Sequence, residues 1–173
     1  ALHGHAEIGM IIIFAATVFC STKLIMWSQQ PYYMTIGIKE QYFGLLMAAG
    51  FFLAGMSSHL GHTLDNKISS LKALGAVWIF AILVCVTAGL YPGLPGVALL
   101  MLGGTCLYGI ANPRVTEAIN HRVGSERRAT ILSTQNQMVS LLFMPVSGAI
   151  GLVSDHYGIS GALLSIAAWL GCA

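Results

Sequence analysis

Charge is what this sequence has least of. Its eight lysines and arginines and six aspartates and glutamates make up 8% of 173 residues, where a soluble domain carries about 25%. Apolar residues supply 56%. A water-soluble fold of this length could not hide that much apolar surface, and the excess would form aggregating patches. The scarcity also excludes nucleic acid as a partner. The net charge is only +2, and the basic residues are scattered as flanks rather than gathered into a patch.

Other absences narrow the class further. Alternating apolar and polar residues are missing, which removes a membrane β-barrel. No G-x-S-x-G, H-E-x-x-H or P-loop appears, so nothing points to an enzyme, and no cofactor is implied. The four cysteines, Cys20, Cys85, Cys106 and Cys172, each stand alone in an apolar run without ligand spacing. His3 with His5, and His59 with His62, lack a carboxylate or cysteine to complete a metal site. No basic n-region and cleavage site precede the first apolar stretch. The chain opens on Ala1 and closes on Ala173 inside an apolar run. The expectation is a fragment of a longer protein that lacks a preceding half.

What is present is a series of membrane-length apolar runs, punctuated by the few charges. They predict an all-α membrane protein, a bundle of about six transmembrane helices. The spans are expected at approximately 8–36, 42–64, 73–90, 96–112, 129–153 and 159–173, the last cut short by the chain end. Tyr91-Pro92-Gly93-Leu94-Pro95-Gly96 breaks a long uncharged run into a helical hairpin. Lys67, Lys72, Arg114, Arg122, Arg127 and Arg128 fall on one set of connections and Lys39 alone on the other. By the positive-inside rule the first set is cytoplasmic, and both ends of the chain lie in the cytoplasm. The second and fifth spans end alike, Gly61 to Asp65 before Ile68-Ser69 and Gly151 to Asp155 before Ile159-Ser160. In this topology those endings lie on opposite sides of the membrane, as a three-plus-three inverted repeat would produce.

Polar residues inside the spans are the candidates for chemistry. Lys23 falls near the middle of the first span, where a charge is costly unless paired or hydrated. It is either a cavity-facing cation that binds an anionic group or couples to protons, or a lysine that snorkels to an interface. Lys23, Trp27 and Gln30 share one helical face at i, i+4, i+7. With Gln29, Pro31, Tyr32 and Tyr33 they form either a binding face at a kinked helix or an aromatic belt. In the fifth span Thr130, Ser133, Gln137, Ser140, Met144, Ser147 and Gly151 recur along one face, thickened by Gln135 and Asn136. Such a stripe faces protein or water rather than lipid. The third span and the sixth hold little that is polar beyond Thr87 and Ser165, and can face lipid.

Taken together, these residues resemble the C-terminal half of a major facilitator superfamily (MFS) transporter. The resemblance is carried by the order and lengths of the spans and by Gly61-x-x-x-Asp65 before a short basic loop. It is carried also by Arg128-Ala129-Thr130 after Ser125-Glu126-Arg127, and by Pro145-x-x-Gly148-x-x-Gly151-x-x-x-Asp155-x-x-Gly158. The loop after Asp65 reads Asn66-Lys67 and departs from the family's Gly-Arg-Arg finish. The resemblance covers essentially the whole chain, as helices seven to twelve. It implies secondary active transport of a small solute by alternating access, as a permease or efflux carrier, in a bacterial-type cytoplasmic (inner) membrane. It implies as partners the lipid bilayer, a small-molecule substrate, a coupling proton or ion, and an N-terminal six-helix half of the same polypeptide. Lys23, Trp27, Gln29, Gln30, Tyr32, Tyr33, Tyr108, Asn136 and Gln137 are the expected substrate-binding residues. Gly61, Asp65, Pro31, Arg127, Arg128 and Asp155 are the expected gating or structural ones. The family's first, second, fourth and fifth helices of a half approach the cavity, and its third and sixth stay outside. The rival readings are an oligomeric six-span channel and a non-catalytic membrane assembly subunit.

Overall fold

The computed structural model describes residues 2–64, 70–122 and 125–172. Among them the chain is helical without a strand. The helices are α1 (Leu2–Thr35), α2 (Phe43–Leu64), α3 (Ser70–Leu90), α4 (Leu94–Arg122) and α5 (Ser125–Cys172), with a short 3-10 turn at Glu40–Tyr42. Stretches Ile12–Thr35, Glu40–His59, Leu94–Glu117 and Arg128–Cys172 are long and apolar enough to cross a membrane, and Gly75–Leu90 is a shorter apolar one. α4 runs well past the expected end at residue 112, through Pro113. α1 likewise continues past Pro31 for one more turn.

Glycines set where the chain turns. α1 ends in a motif with Gly37 at φ +82, in the left-handed region. The Ile38 amide donates to the Tyr33 carbonyl (2.9 Å) and the Gly37 amide to that of Met34 (3.1 Å). These two bonds satisfy carbonyls that the helix end would otherwise leave unpaired. Within α5, Gly158 takes φ 69 and ψ −174, a conformation open almost only to glycine. Leu142 and Trp169 flank that residue and line one pocket. They stand about 27 residues apart, and an unbroken helix would hold them about 40 Å from each other. α5 therefore folds back at Gly158 into two arms, 125–157 and 159–172.

α1 and α4 form the middle of the bundle. α1 packs on α4 and on both arms of α5, and α4 packs on α1, α2 and α3. α3 also lies along the second arm, with Trp78 Nε1 donating to the Leu170 carbonyl (2.9 Å). Trp169 Nε1 donates to Ser21 Oγ (3.2 Å), which ties that arm to α1. α4 approaches its neighbours closely through glycines. A Cβ at Gly109 would stand 2.5 Å from the Ala54 carbonyl oxygen of α2, and one at Gly103 would stand 2.9 Å from Val84 of α3. The core is built mainly from α1, α3, α4 and the second arm, including Ile25, Val84, Leu100, Leu107, Leu163 and Ile166.

The two ends of the bundle differ in charge. Tyr32 Oη donates to the Gly93 carbonyl (3.1 Å) and accepts from the Gly93 amide (2.9 Å), so the turns after α1 and α3 share one end. Gly89, at the end of α3, abuts Ser160 and Leu164, which brings the Gly158 turn to that end too. Lys39, Glu40 and Asp155 belong to it. Arg114 and Arg128 lie toward the other, since α4 starts beside Gly93 and Arg114 is about 30 Å further along it.

Candidate functional site

A cavity of about 610 Å³ opens beside α1, within the range of small-molecule sites. Phe19, Lys23, Met26, Trp27 and Gln30 line it from α1, with Thr22 among them. Met47 and Phe51 enter from α2, Tyr108 and Asn112 from α4, and Gln135, Asn136 and Val139 from the first arm of α5. α3 and the second arm supply none of the lining residues. The Phe19 and Tyr108 rings meet edge to face at 6.3 Å on one side, and Gln30 Nε2 reaches Met47 Sδ at 3.5 Å on another. Trp27, 71% exposed, stands at the rim and meets Phe143 of α5 at 6.0 Å.

Among the described residues Lys23 is the only charged one of the lining, which contains no described aspartate or glutamate. It sits midway along Ile12–Thr35, about 17 Å from either end of that stretch at the helical rise. At the centre of a membrane-spanning helix a lysine costs about 2.5–3.5 kcal/mol, and here Lys23 is exposed to the cavity. Its ammonium lies 5.8 Å from the centroid of the Phe143 ring, within cation–π range.

The amides of the lining differ in what they already hold. Gln135 is 6% exposed, and its Oε1 is buried without a hydrogen-bond partner. An orphaned acceptor of this kind costs about 1–3 kcal/mol. By contrast, hydroxyls nearby are satisfied by their own helix. Thr22 Oγ1 donates to the Val18 carbonyl (3.0 Å) and Thr105 Oγ1 to that of Met101 (2.7 Å).

Of the expected substrate-binding residues, the cavity brings together Lys23, Trp27, Gln30, Tyr108 and Asn136. Gln29, Tyr32 and Tyr33 do not line it. Gln29 Nε2 donates to the Leu100 carbonyl (3.2 Å) and its Oε1 accepts from Tyr33 Oη (3.3 Å). Tyr32 is committed to Gly93, so these three are buried helix-packing groups. Gln137 lies on the outer face of α5, in a shallow groove with Ser133, Ser140 and Leu141 that Asn136 also borders. Among the gating or structural residues, Gly61 falls in α2, Pro31 in α1, and Arg127, Arg128 and Asp155 in α5. Asp65 lies outside the described residues.

Phe19, Thr22, Met26, Met47, Phe51, Asn112, Gln135 and Val139 join the cavity although the sequence did not mark them as site residues. Some carried a signal. Phe19 and Met26 continue the spacing of Lys23, Trp27 and Gln30, and Asn112 stands one turn from Tyr108. Met47 and Phe51 carried none, because α2 is apolar on every side from Phe43 to Met56.

No protein-family model, curated protein or solved structure matches this chain. The functional reading therefore stands on the residues and their arrangement.

Proposed function

We propose that this chain is one half of a secondary transporter of the major facilitator type, six membrane-spanning rods that supply one wall of a solute cavity. The observation that carries the reading is the division of labour among the helices. α1, α2, α4 and the first arm of α5 contribute every lining residue, while α3 and the second arm contribute none. That is the division the resemblance implies for a half of this family.

The packing supports an inverted repeat as well. Exchange α1 with α4, α2 with the first arm, and α3 with the second arm. The pairs that touch map onto one another: α1 on the first arm becomes α4 on α2, and α1 on the second arm becomes α4 on α3. A central site between such repeats is the arrangement of secondary carriers. The charge difference between the two ends favours an orientation with the arginine-rich end in the cytoplasm.

In this reading the cavity wall is completed by a second half of the same polypeptide, and the two halves rock to expose the site alternately. The test is uptake by the complete protein in proteoliposomes across a solute panel, with and without a pH gradient. Saturable uptake that Lys23→Ala reduces at least about tenfold, as loss of a charge-assisted contact would, is the expected result. Saturable uptake indifferent to Lys23→Ala and Gln135→Ala would remove the cavity from the pathway. Unsaturable flux through the 173-residue chain alone would favour the oligomeric channel.

A further inference from the structure

The lining is electrically lopsided. Among the described residues it offers one ammonium, neutral amides from Gln30, Asn112, Gln135 and Asn136, and no carboxylate. Among the described residues the contact of that ammonium is the face of Phe143, and a lysine has three N–H donors to place. Lys23 is exposed at the open side of this apolar-walled cavity, and there a single cation repels cations and leaves a dianion half compensated. It matches one negative charge. The amides of Gln30, Asn112 and Asn136 add donors and acceptors for a hydroxyl or N–H of the ligand. Around these groups Trp27, Phe51 and Tyr108 supply flat apolar surface, which favours an aromatic or apolar body. Met26 and Met47 are flexible enough to fit its outline.

We propose that the cavity receives a singly charged organic anion, with its carboxylate or equivalent group at Lys23 and its aromatic or apolar body against Trp27, Phe51 and Tyr108. This rests on the transport reading for its direction across the membrane. The charge class stands on the cavity itself.

The test uses three probes of one shape. They are 4-hydroxybenzoate, 4-hydroxybenzamide and 4-hydroxybenzylamine, which are anionic, neutral and cationic at neutral pH. Binding to the complete protein in detergent is read by calorimetry, and uptake by phosphatidylethanolamine–phosphatidylglycerol vesicles that contain it. The carboxylate should bind at least about tenfold tighter than the amide, as a charge-assisted contact exceeds a neutral one, and the amine weakest. Lys23→Arg should keep that order and Lys23→Gln should erase it. The charge class is overturned if the amide or amine binds as tightly as the carboxylate, if no probe binds, or if the preference survives Lys23→Gln. The wild-type order alone decides the matter should a variant fail to fold. Carboxylate binding without uptake of any probe or other solute sinks the transport reading and leaves the charge class standing. Uptake restricted to neutral or cationic solutes does the reverse.

Discussion

At the scale of the residue, helical phase decides which polar groups of α1 reach the cavity. Tyr32 is nine positions beyond Lys23, about 2.5 turns, and so points the opposite way. That phase was readable from the sequence, yet the cluster from Trp27 to Tyr33 reads as one polar patch when taken as a run. The consequence is a separation of roles that mutation can expose. Tyr32→Phe removes the hydroxyl that both donates to and accepts from Gly93. It should cost about 1 kcal/mol, since the Gly93 amide loses its partner while the Gly93 carbonyl keeps the Gly96 amide (3.0 Å). Thermal denaturation in detergent should therefore show a lower midpoint, with solute affinity unchanged. Gln135→Leu should do the opposite. It replaces an orphaned acceptor by an apolar group of similar size, so the midpoint should hold or rise. Solute affinity should fall by about threefold to tenfold, in line with the loss of one amide from the cavity lining. A lower midpoint with intact affinity would show that Gln135 serves the fold instead.

At the scale of the element, the rods were largely legible because charge and turn residues bound them. The expected boundaries 42–64 and 73–90 lie within a few residues of α2 and α3, and Gly158 falls between the expected fifth and sixth spans. What the sequence did not mark is which side of each apolar rod meets which neighbour. In an all-apolar helix the pattern carries no phase, and small residues do the sorting through close approach. Gly109 is the sharpest case. Any side chain there presses on the α2 backbone at Ala54 and on Ser57 and Ser58, where nothing flexible can yield. Gly109→Leu should separate α2 from α4 and withdraw Met47 and Phe51 from the cavity. The measurable result is loss of solute binding together with faster proteolysis of α2, at a destabilisation of about 1–3 kcal/mol typical of overpacking. Gly148→Ala, where a Cβ meets open space within this chain, is the matched control for the fold of this half.

At the scale of the whole molecule, burial is uneven in a way that predicts what lies beside this chain. More than half of the apolar window in α1 and in α4 is buried (56% each), against 11% in α2. Among the described residues of the first arm of α5 only Gln135 and Val139 are buried. Lipid can cover the apolar surface of α2 and α3, but the stripe of the first arm is polar and small. Thr130, Ser133, Gln137 and Ser140 are exposed on it, and open space surrounds Gly148 and Gly151. Hydroxyls and amides in hydrocarbon are costly unless they meet protein or water. Some of that cost is met within the helix, as when Ser140 Oγ donates to the Asn136 carbonyl (3.1 Å). Gln137 has no such local partner among the described hydrogen bonds. On the proposed function the stripe should pack against a second half of the polypeptide, and two substitutions separate that from a lipid-facing surface. In the complete protein, Gly151→Trp should abolish uptake while the 173-residue chain, expressed alone in detergent, keeps its helix content and its thermal midpoint. Leu83→Trp, on the exposed side of α3, should be tolerated in both settings, since lipid accommodates an indole. Equal tolerance at the two positions would place the stripe against lipid and would remove the reason for expecting a second half on that side of the cavity.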